Sequence, residues 1–239
     1  MRYMPALELL AIGVLFSGCS GAPAVTLGAS RASYTPTCFG TSTPATTASS
    51  CGANKPIAAF SLDPTTLTLC TPGAGCALSH ATIGVFVGYG TIVGTVGGAN
   101  ASISLGATYQ NEANFVMSAT GTGSSNVFFT DSAFGPQQIA TLNVVAAAQN
   151  DGKLSIASGY EPEPCNTEAF TIDINKPQPG VTASIANPAV ATVTASLPTG
   201  SSVTVTPAAG RDASTYMTIV SGSDTLIVPL NLQACAVPG

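Results

Sequence analysis

The sequence predicts an all-β protein, and three observations support this fold class. Only 7% of the residues are charged, whereas 45% are hydrophobic. The hydrophobic residues alternate with small or polar ones, as in strands that bury one face. Gly and Pro turn signals at short spacing separate the alternating stretches. This pattern is typical of half-buried strands and polar turns, so we expect many strands and no helix of useful length.

The alternating stretches form two sets. The first set contains Leu67/Leu69, Ile83/Val85/Val87, Ile103/Leu105 and Ala140/Leu142/Val144. The second set contains Leu154/Ile156, Phe170/Ile172/Ile174, Val190/Val193, Val203/Val205 and Leu226/Val228/Leu230/Leu232. Residues 149–152 lie between the sets and read Gln-Asn-Asp-Gly, a strong turn signal, so we place a domain boundary near residue 150.

Pro229 interrupts the last predicted strand. Proline has no backbone N–H and cannot donate to a sheet on both sides. The strand is therefore expected to lie at a sheet edge or to carry a bulge.

The first eighteen residues have the layout of a cleaved secretory signal. Arg2 provides a positive start, residues 9–16 carry no charged or polar side chain, and Ser17 and Gly18 follow. The apolar run is too short to remain in a membrane as a spanning helix. We therefore expect an exported protein.

Residues 15–19, Leu-Phe-Ser-Gly-Cys, resemble the lipobox of bacterial lipoproteins, with Phe16 in place of the commoner Leu. The resemblance implies a diacylglyceryl thioether on Cys19, and two or more acyl chains are sufficient for stable membrane anchoring. The alternative is an ordinary signal peptide with a Cys there by chance.

The number of cysteines favours the lipoprotein interpretation. The chain has seven cysteines, an odd number for an exported protein. If Cys19 carries lipid, six remain, and six thiols can pair completely outside the cytoplasm. The disulfide candidates are Cys38, Cys51, Cys70, Cys76, Cys165 and Cys235.

The composition changes after the signal. Among residues 20–54, Ser and Thr are abundant and Arg31 is the only charged residue. Such a segment buries too little apolar surface to fold alone. We divide the chain into a lipoprotein signal peptide at 1–18, a lipid-anchored flexible tether at 19–54, a first sandwich at 55–149 and a second at 150–239.

The two halves of the folded part resemble each other in sequence. The tripeptides Leu142-Asn143-Val144 and Leu230-Asn231-Leu232 close corresponding runs. Residues 63–69, 121–135 and 187–193 resemble strands of bacterial immunoglobulin-like domains. The resemblance covers residues 57–234 and implies two tandem immunoglobulin-like β-sandwiches used as spacer or adhesive modules. Trp is absent from the chain, so the antibody-type core is not expected.

The resemblance also implies a disulfide scheme. In this topology Cys165 and Cys235 lie at the same pole of the second sandwich and are the preferred pair. Cys70 and Cys76 flank a turn and are suited to closing it, which leaves Cys38 with Cys51. Six cysteines allow about fifteen pairings, so the scheme is a hypothesis.

Residues that support catalysis are few. His80 is the only histidine, its sequence neighbours include no carboxylate, and we interpret it as a surface or turn residue. Glu161 and Glu163 alternate with prolines, which favours an exposed stiff loop. A calcium site formed by these two carboxylates and Asp151 is the alternative, but no fixed-spacing loop supports it.

Ligand-binding signals are also weak. The glycines from Gly88 to Gly98 fit neither phosphate-loop spacing and are expected to be turn and bulge glycines. Candidate sugar platforms are the scattered tyrosines Tyr89, Tyr109, Tyr160 and Tyr216. Phe128 and Phe129 are adjacent and should face opposite sides of a strand, so one of them is a candidate for exposure.

These observations predict a noncatalytic lipoprotein at the bacterial cell envelope, presenting its modules for adhesion or envelope organisation. No catalytic residue, metal or cofactor is expected. A net charge of -5 argues against nucleic acid as a partner. The expected partners are the membrane, through the lipid anchor, and a surface protein or glycan. The alternative function is a carbohydrate- or ligand-binding accessory protein.

Overall fold

The computed structural model describes residues 30–34, 60–86, 91–109, 112–132, 134–157, 164, 168–175, 181–195, 201–208 and 212–233. In these ranges the chain forms strands and no helix. The strands are β1 (Arg31–Tyr34), β2 (Ser61–Asp63), β3 (Thr66–Cys70), β4 (His80–Phe86), β5 (Ile92–Val96), β6 (Ala101–Tyr109), β7 (Glu112–Ala119), β8 (Gly123–Asp131), β9 (Phe134–Val145), β10 (Ser155–Ile156), β11 (Phe170–Asn175), β12 (Thr182–Ile185), β13 (Ala191–Ala195), β14 (Ser202–Pro207), β15 (Ala213–Ser221) and β16 (Asp224–Leu232).

The strands form two β-sandwiches with the same core topology. In the first, a sheet of order β2-β4-β7-β6 packs on a sheet of order β1-β5-β8-β9-β3. In the second sandwich, the sheet of order β10-β11-β14-β13 corresponds strand by strand to β2-β4-β7-β6. The sheet of order β12-β15-β16 corresponds to β5-β8-β9. Two four-stranded sheets, each facing a sheet that contains the last strand of its domain, give an immunoglobulin-like arrangement. The predicted all-β, immunoglobulin-like fold class is confirmed.

Each sandwich has its own hydrophobic core. The first core extends in sequence from Phe60 to Val144, and the second from Leu154 to Leu232. In the first core, the rings of Phe115 and Phe129 meet edge to face with their centroids 5.3 Å apart. Between the two cores lies the turn that the sequence placed near residue 150.

Most predicted strands form because alternate residues bury one face. In β7, for example, Ala113, Phe115 and Met117 are fully buried, while the residues between them are partly exposed. The tripeptides that the repeat identified lie at corresponding places, in β9 and in β16. Pro229 lies in β16, which is an edge strand of its sheet, as predicted.

One strand lies inside the segment expected to be a flexible tether. β1 pairs antiparallel with β5, from Arg31 opposite Thr95 to Tyr34 opposite Ile92. Ala32 and Tyr34 pack against the first core. The tether prediction is therefore wrong for these four residues, because β5 offers them a sheet edge and the core offers their apolar side chains a place to pack.

β1 also links the two sheets of the first sandwich. The Ser30 hydroxyl accepts the N–H of Ile103 at 2.8 Å and donates to the Ile103 carbonyl at 3.3 Å. The Tyr34 hydroxyl donates to the Tyr109 carbonyl at 3.4 Å. Ile103 and Tyr109 belong to β6, in the opposite sheet, so β1 closes the side of the sandwich between β5 and β6.

Candidate functional site

The cysteines are the predicted site residues with the clearest structural outcome. Cys70 and Cys76 form a disulfide with an S–S distance of 1.99 Å. Cys19, Cys38, Cys51, Cys165 and Cys235 lie outside the described residues. Pro164 and Gln233, which lie close in sequence to Cys165 and Cys235, are joined by a hydrogen bond from the Gln233 N–H to the Pro164 carbonyl at 3.2 Å. The pairing of these two cysteines stays a prediction.

The candidate catalytic residues do not form a site in the described part of the chain. His80 begins β4, where its side chain is exposed and its strand partner is Ser118. Glu161 and Glu163 lie outside the described residues. Among the residues that are described, no group of three His, Cys, Asp or Glu side chains is arranged to hold a metal ion.

Asp151, the third carboxylate considered for calcium, has another partner. Its Oδ2 contacts the Lys153 ammonium at 2.6 Å, in an exposed ion pair. The hydrogen bond from Lys153 lowers the pKa of Asp151, and the same bond raises the pKa of Lys153. At neutral pH the charge of this carboxylate is thus balanced within its own turn.

The glycine-rich region has structural roles wherever it is described. A Cβ at Gly94 would lie 2.5 Å from Ile103 Cδ1 and 2.8 Å from Phe129 Cε1, so this strand glycine allows the two sheets to pack closely. Gly97 and Gly98 follow β5 at a pole of the first sandwich, where they line an open cleft of about 380 Å³. Gly88 and Gly90 lie outside the described residues.

The cleft at this pole is organised by Asn100. Its Nδ2 donates to the Gly123 carbonyl at 2.8 Å, and its Oδ1 accepts the Ser125 hydroxyl. Its own carbonyl accepts the N–H groups of Thr120 and Gly121. Asn100 therefore connects the two turns that form the cleft, and we assign it a structural role.

A second cleft, of about 360 Å³, lies where the two sandwiches meet. Its lining includes Thr66 and Asn143 of the first sandwich and Asp212 and Ser214 of the second. Among the described residues, the buried side-chain oxygens without a hydrogen-bond partner are Asp63 Oδ1 and Thr66 Oγ1. Burial raises the pKa of Asp63, and the negative charges of Asp212 and Glu112 raise it further.

A partly apolar row of side chains crosses the outer face of the five-stranded sheet. Thr95, Phe128 and Ile139 are consecutive register partners on β5, β8 and β9. Ile139 is 49% exposed and Phe128 is partly exposed, whereas Phe129 is fully buried. The prediction that the two adjacent phenylalanines face opposite sides is confirmed.

The candidate tyrosines do not converge on one platform. Tyr109 is 61% exposed at the end of β6 in the first sandwich, and Tyr216 is partly buried in β15 of the second. Tyr89 and Tyr160 lie outside the described residues. Tyr34, which the sequence analysis did not single out, lies near Tyr109 through its hydrogen bond to the Tyr109 carbonyl.

Sequence reasoning also missed the residues that join the two domains. Asn231 is fully buried between two leucines, in the part of β16 that follows Asp224 and Thr225 and is otherwise apolar, and its amide contacts the backbone of Thr68 in the first sandwich. A single amide between two leucines in a strand buried on both faces is a signal that indicates a specific polar partner.

No helix in the described part of the chain is both long enough and apolar enough to cross a membrane.

Comparisons with known proteins add little to this picture. No family model matches the chain, and no curated protein matches it. Among solved structures, domains 4 and 5 of the S-layer protein SbsC are 19% identical, with a TM-score of 0.29 over 58% of this chain and 79% of that chain. The adhesin InvE of Yersinia pseudotuberculosis is 12% identical, with a TM-score of 0.28 over 73% of this chain and 58% of that chain.

The tandem immunoglobulin domains A164-A165 of titin are 9% identical, with a TM-score of 0.25 over 73% of this chain and 95% of that chain. At these values the likeness carries no functional argument. The fold assignment rests on the core strand order that the two sandwiches share, β2-β4-β7-β6 facing β5-β8-β9 in the first and β10-β11-β14-β13 facing β12-β15-β16 in the second.

Proposed function

We propose that this chain is an exported envelope lipoprotein that displays two immunoglobulin-like sandwiches without catalysing a reaction. The observation that carries the proposal is the state of the cysteines. The Cys70–Cys76 disulfide is typical of a protein that folds in an oxidising compartment. Cys19 stands in a lipobox-like sequence, and it is the cysteine that remains unpaired in the predicted disulfide scheme.

The positions of the chemistry-bearing residues support a noncatalytic role. His80 is exposed at the start of a strand, and Asp151 is neutralised by Lys153. General acid–base catalysis needs a titratable group held beside a reacting atom, usually with a second group that orients it. Neither residue is placed in that way, so the sandwiches serve as spacer or adhesive modules in this proposal.

β1 changes how the proposed anchor would hold the first sandwich. Eleven residues lead from Cys19 to Ser30, where the described part of the chain begins. At about 3.3–3.6 Å per extended residue, this segment spans at most about 40 Å. The first sandwich would therefore stay near the membrane rather than at the end of a tether that continues to residue 54.

Intact-mass analysis of the membrane fraction tests the proposal. The expected species begins at Cys19, carries the mass of its acyl chains and contains three disulfides. A Cys19→Ser variant should move to the soluble exported fraction, whereas the neighbouring Ser20→Ala variant should stay with the membrane. A wild-type chain that is soluble, with a free thiol at Cys19, would rule out the anchor.

The sugar-binding alternative is tested by a glycan array with the purified mature chain. Stacking of a sugar on an aromatic ring needs an exposed face, and Tyr109 is the most exposed described tyrosine. Reproducible binding that is lost in a Tyr109→Ala variant would favour the ligand-binding function over the spacer function.

A further inference from the structure

The two sandwiches are joined by a set of contacts that we call the interdomain joint. It consists of Thr68 in β3, residues 70–77, which include the disulfide loop, and the outer edge of β16. This edge faces away from β15, which among the described strands is the one that pairs with β16 in its sheet. Eight of the nine residues of β16 are buried, which is unusual for an edge strand and results from the contact with the first sandwich.

The first part of the joint is an amide that imitates a strand. The Thr68 N–H donates to Asn231 Oδ1 at 2.8 Å, and Asn231 Nδ2 donates to the Thr68 carbonyl at 3.2 Å. The other edge of β3 is paired with β9. Asn231 thus satisfies both backbone groups of Thr68 that point away from β9, as the peptide group of a neighbouring strand would. The Thr68 hydroxyl adds a bond to the Ser214 hydroxyl at 3.0 Å.

The second part is the loop that the Cys70–Cys76 disulfide closes. The Ile227 N–H donates to the Gly75 carbonyl at 2.9 Å, and the Ala77 N–H donates to the Ile227 carbonyl at 2.9 Å. These bonds form a parallel bridge between Cys76 and Ile227. In the first sandwich the corresponding edge of β9 is covered by β3, also in parallel. The loop belongs to the first sandwich, but on the second sandwich it takes the place that β3 takes on β9.

The chain between the domains continues the same edge. The Thr225 N–H donates to the Gln149 carbonyl at 2.8 Å, and the Asp151 N–H donates to Asp224 Oδ1 at 3.0 Å. Gly75 is in turn bridged to Ala148, so the loop and the connecting segment support each other. Backbone groups of β16 are thus hydrogen-bonded to the first sandwich or the linker at Thr225 and Ile227, and the Asn231 side chain extends the contact to β3.

We propose that the interdomain joint holds the two sandwiches as one rigid unit, and that the Cys70–Cys76 disulfide is its covalent latch. A loop closed by a disulfide has fewer conformations to lose when it binds an edge, so it presents Gly75 and Ala77 to Ile227 at a low entropic cost. The unit then acts as a stiff spacer whose two ends keep a fixed orientation. This property does not depend on lipidation of Cys19.

A dithiol reductant would release the latch. Its thiolate attacks Sγ of Cys76, which is partly exposed, and the buried Cys70 sulfur leaves as a thiolate that takes up a proton. The second thiol of the reductant then displaces the Cys76 sulfur, so Cys76 becomes a thiol and the reductant becomes a disulfide. The joint would thus respond to the thiol state of the surroundings.

Amide hydrogen exchange of the full mature chain tests this proposal. The informative amides are those that donate across the joint, namely Thr68, Ala77, Thr225 and Ile227. In the oxidised chain they should be protected from exchange. In a Cys70→Ser/Cys76→Ser variant the protection of Ala77 and Ile227 should fall by about 50-fold, the chain-entropy value for a loop of this length. The amides of β8 and β15 should keep their protection.

A second variant disturbs the loop without removing the disulfide. A Cβ at Gly75 would lie 2.0 Å from the Ala148 carbonyl oxygen, so Gly75→Ala must displace the loop. The protection of Ala77 and Ile227 should be lost while that of β8 and β15 is kept, as expected when a local contact opens without global unfolding. Gly121→Ala is the matched control, because its Cβ would meet nothing closer than 3.7 Å.

The outcomes are decisive in both directions. Rapid exchange of the joint amides in the oxidised chain would overturn the rigid unit, and unchanged protection of Ala77 and Ile227 in a folded double Cys variant would overturn the role of the disulfide. If the double Cys variant also exposes β8, the first sandwich has unfolded, and Gly75→Ala alone decides the question. Loss of joint protection with β8 intact in that variant supports the proposal, and retained joint protection overturns it.

Discussion

At the scale of single residues, the two asparagines of the sequence repeat show how position decides function. Asn143 and Asn231 occupy corresponding tripeptides in β9 and β16. Asn143 is partly exposed and accepts one hydrogen bond, from the Ser124 hydroxyl at 3.1 Å. Asn231 is fully buried and satisfies both backbone groups of Thr68. Water can therefore replace the hydrogen bond that Asn143 makes, but it has no access to replace those of Asn231.

We therefore predict a large difference between Asn231→Ala and Asn143→Ala. Asn231→Ala leaves a buried N–H and a buried carbonyl of Thr68 unpaired, and each unsatisfied group costs about 1–3 kcal/mol. The two groups together should lower the free energy of unfolding by about 2–6 kcal/mol in this variant. Asn143→Ala should cost less than about 1 kcal/mol, because solvent replaces its partner. Urea unfolding of both variants measures the difference, and equal losses would contradict the role assigned to Asn231.

Asp63 gives a prediction about pH. Because burial and the nearby carboxylates raise its pKa in the folded chain, the folded state binds a proton more readily than the unfolded state does. The contribution of this group to stability is therefore greatest below its unfolded pKa and decreases as the pH rises through the raised folded pKa. The change in stability caused by Asp63→Asn should therefore be more favourable at pH 7 than at pH 4.

Melting temperatures of the wild-type and Asp63→Asn chains at these two pH values provide the test. The comparison is made within each pH, so titration of other groups cancels to first order. An Asn substitution that changes the melting temperature by the same amount at pH 4 and pH 7 would mean that Asp63 does not couple folding to protonation.

At the scale of elements, the alternating pattern predicted the strands whose own residues bury one face. β9, β11 and β14 were identified in this way. Each contains a buried residue, Leu142, Ile172 or Val203, that has another apolar residue two positions away on the same face of the strand. β1 was not identified, because a four-residue strand in a Ser- and Thr-rich segment has only Ala32 and Tyr34 to bury. Its pairing depends on β5, which is remote in sequence and was itself interrupted by Gly94.

The interdomain joint was also beyond prediction from the sequence. The disulfide between Cys70 and Cys76 was anticipated from the turn between them, but its role as a partner of β16 depends on where the second sandwich lies. Edge pairing uses backbone groups, which every residue carries, so no pattern of side chains in the sequence predicts it. Only Asn231, a polar residue between two leucines of β16, gave a local signal.

The pairing of β1 with β5 leads to a prediction about the stability of this edge of the first sandwich. Ala32→Glu places a carboxylate against the first core, so β1 should detach from β5 while the rest of the sandwich remains folded. The Val96 N–H, which donates to the Ser30 carbonyl at 3.0 Å, should then lose its protection from hydrogen exchange. Ser33→Glu is the matched control, because Ser33 is exposed on the same strand. Equal protection of Val96 in the two variants would show that β1 is not held by its apolar side chains.

At the scale of the whole molecule, the two cores are separate but their sheets are not independent. β16 completes the second sandwich and at the same time pairs with Thr68 and the disulfide loop of the first. Contacts that form only when both domains are folded contribute to the stability of each one. Unfolding of one sandwich therefore removes part of the stability of the other, even though the buried apolar residues of the described chain form two separate clusters.

Met217→Ala tests this coupling, because Met217 is fully buried in the second core and far in sequence from the joint partners in the first. The substitution should cost about 2–5 kcal/mol in the second sandwich. Hydrogen exchange in increasing urea should show a lower midpoint for β15 and also a smaller decrease for β8, which belongs to the first sandwich. Since the buried residues of β8 belong to the first core and Met217 belongs to the second, a shift in β8 is evidence that the joint couples the two sandwiches. A wild-type midpoint for β8 in this variant would mean that the sandwiches unfold independently.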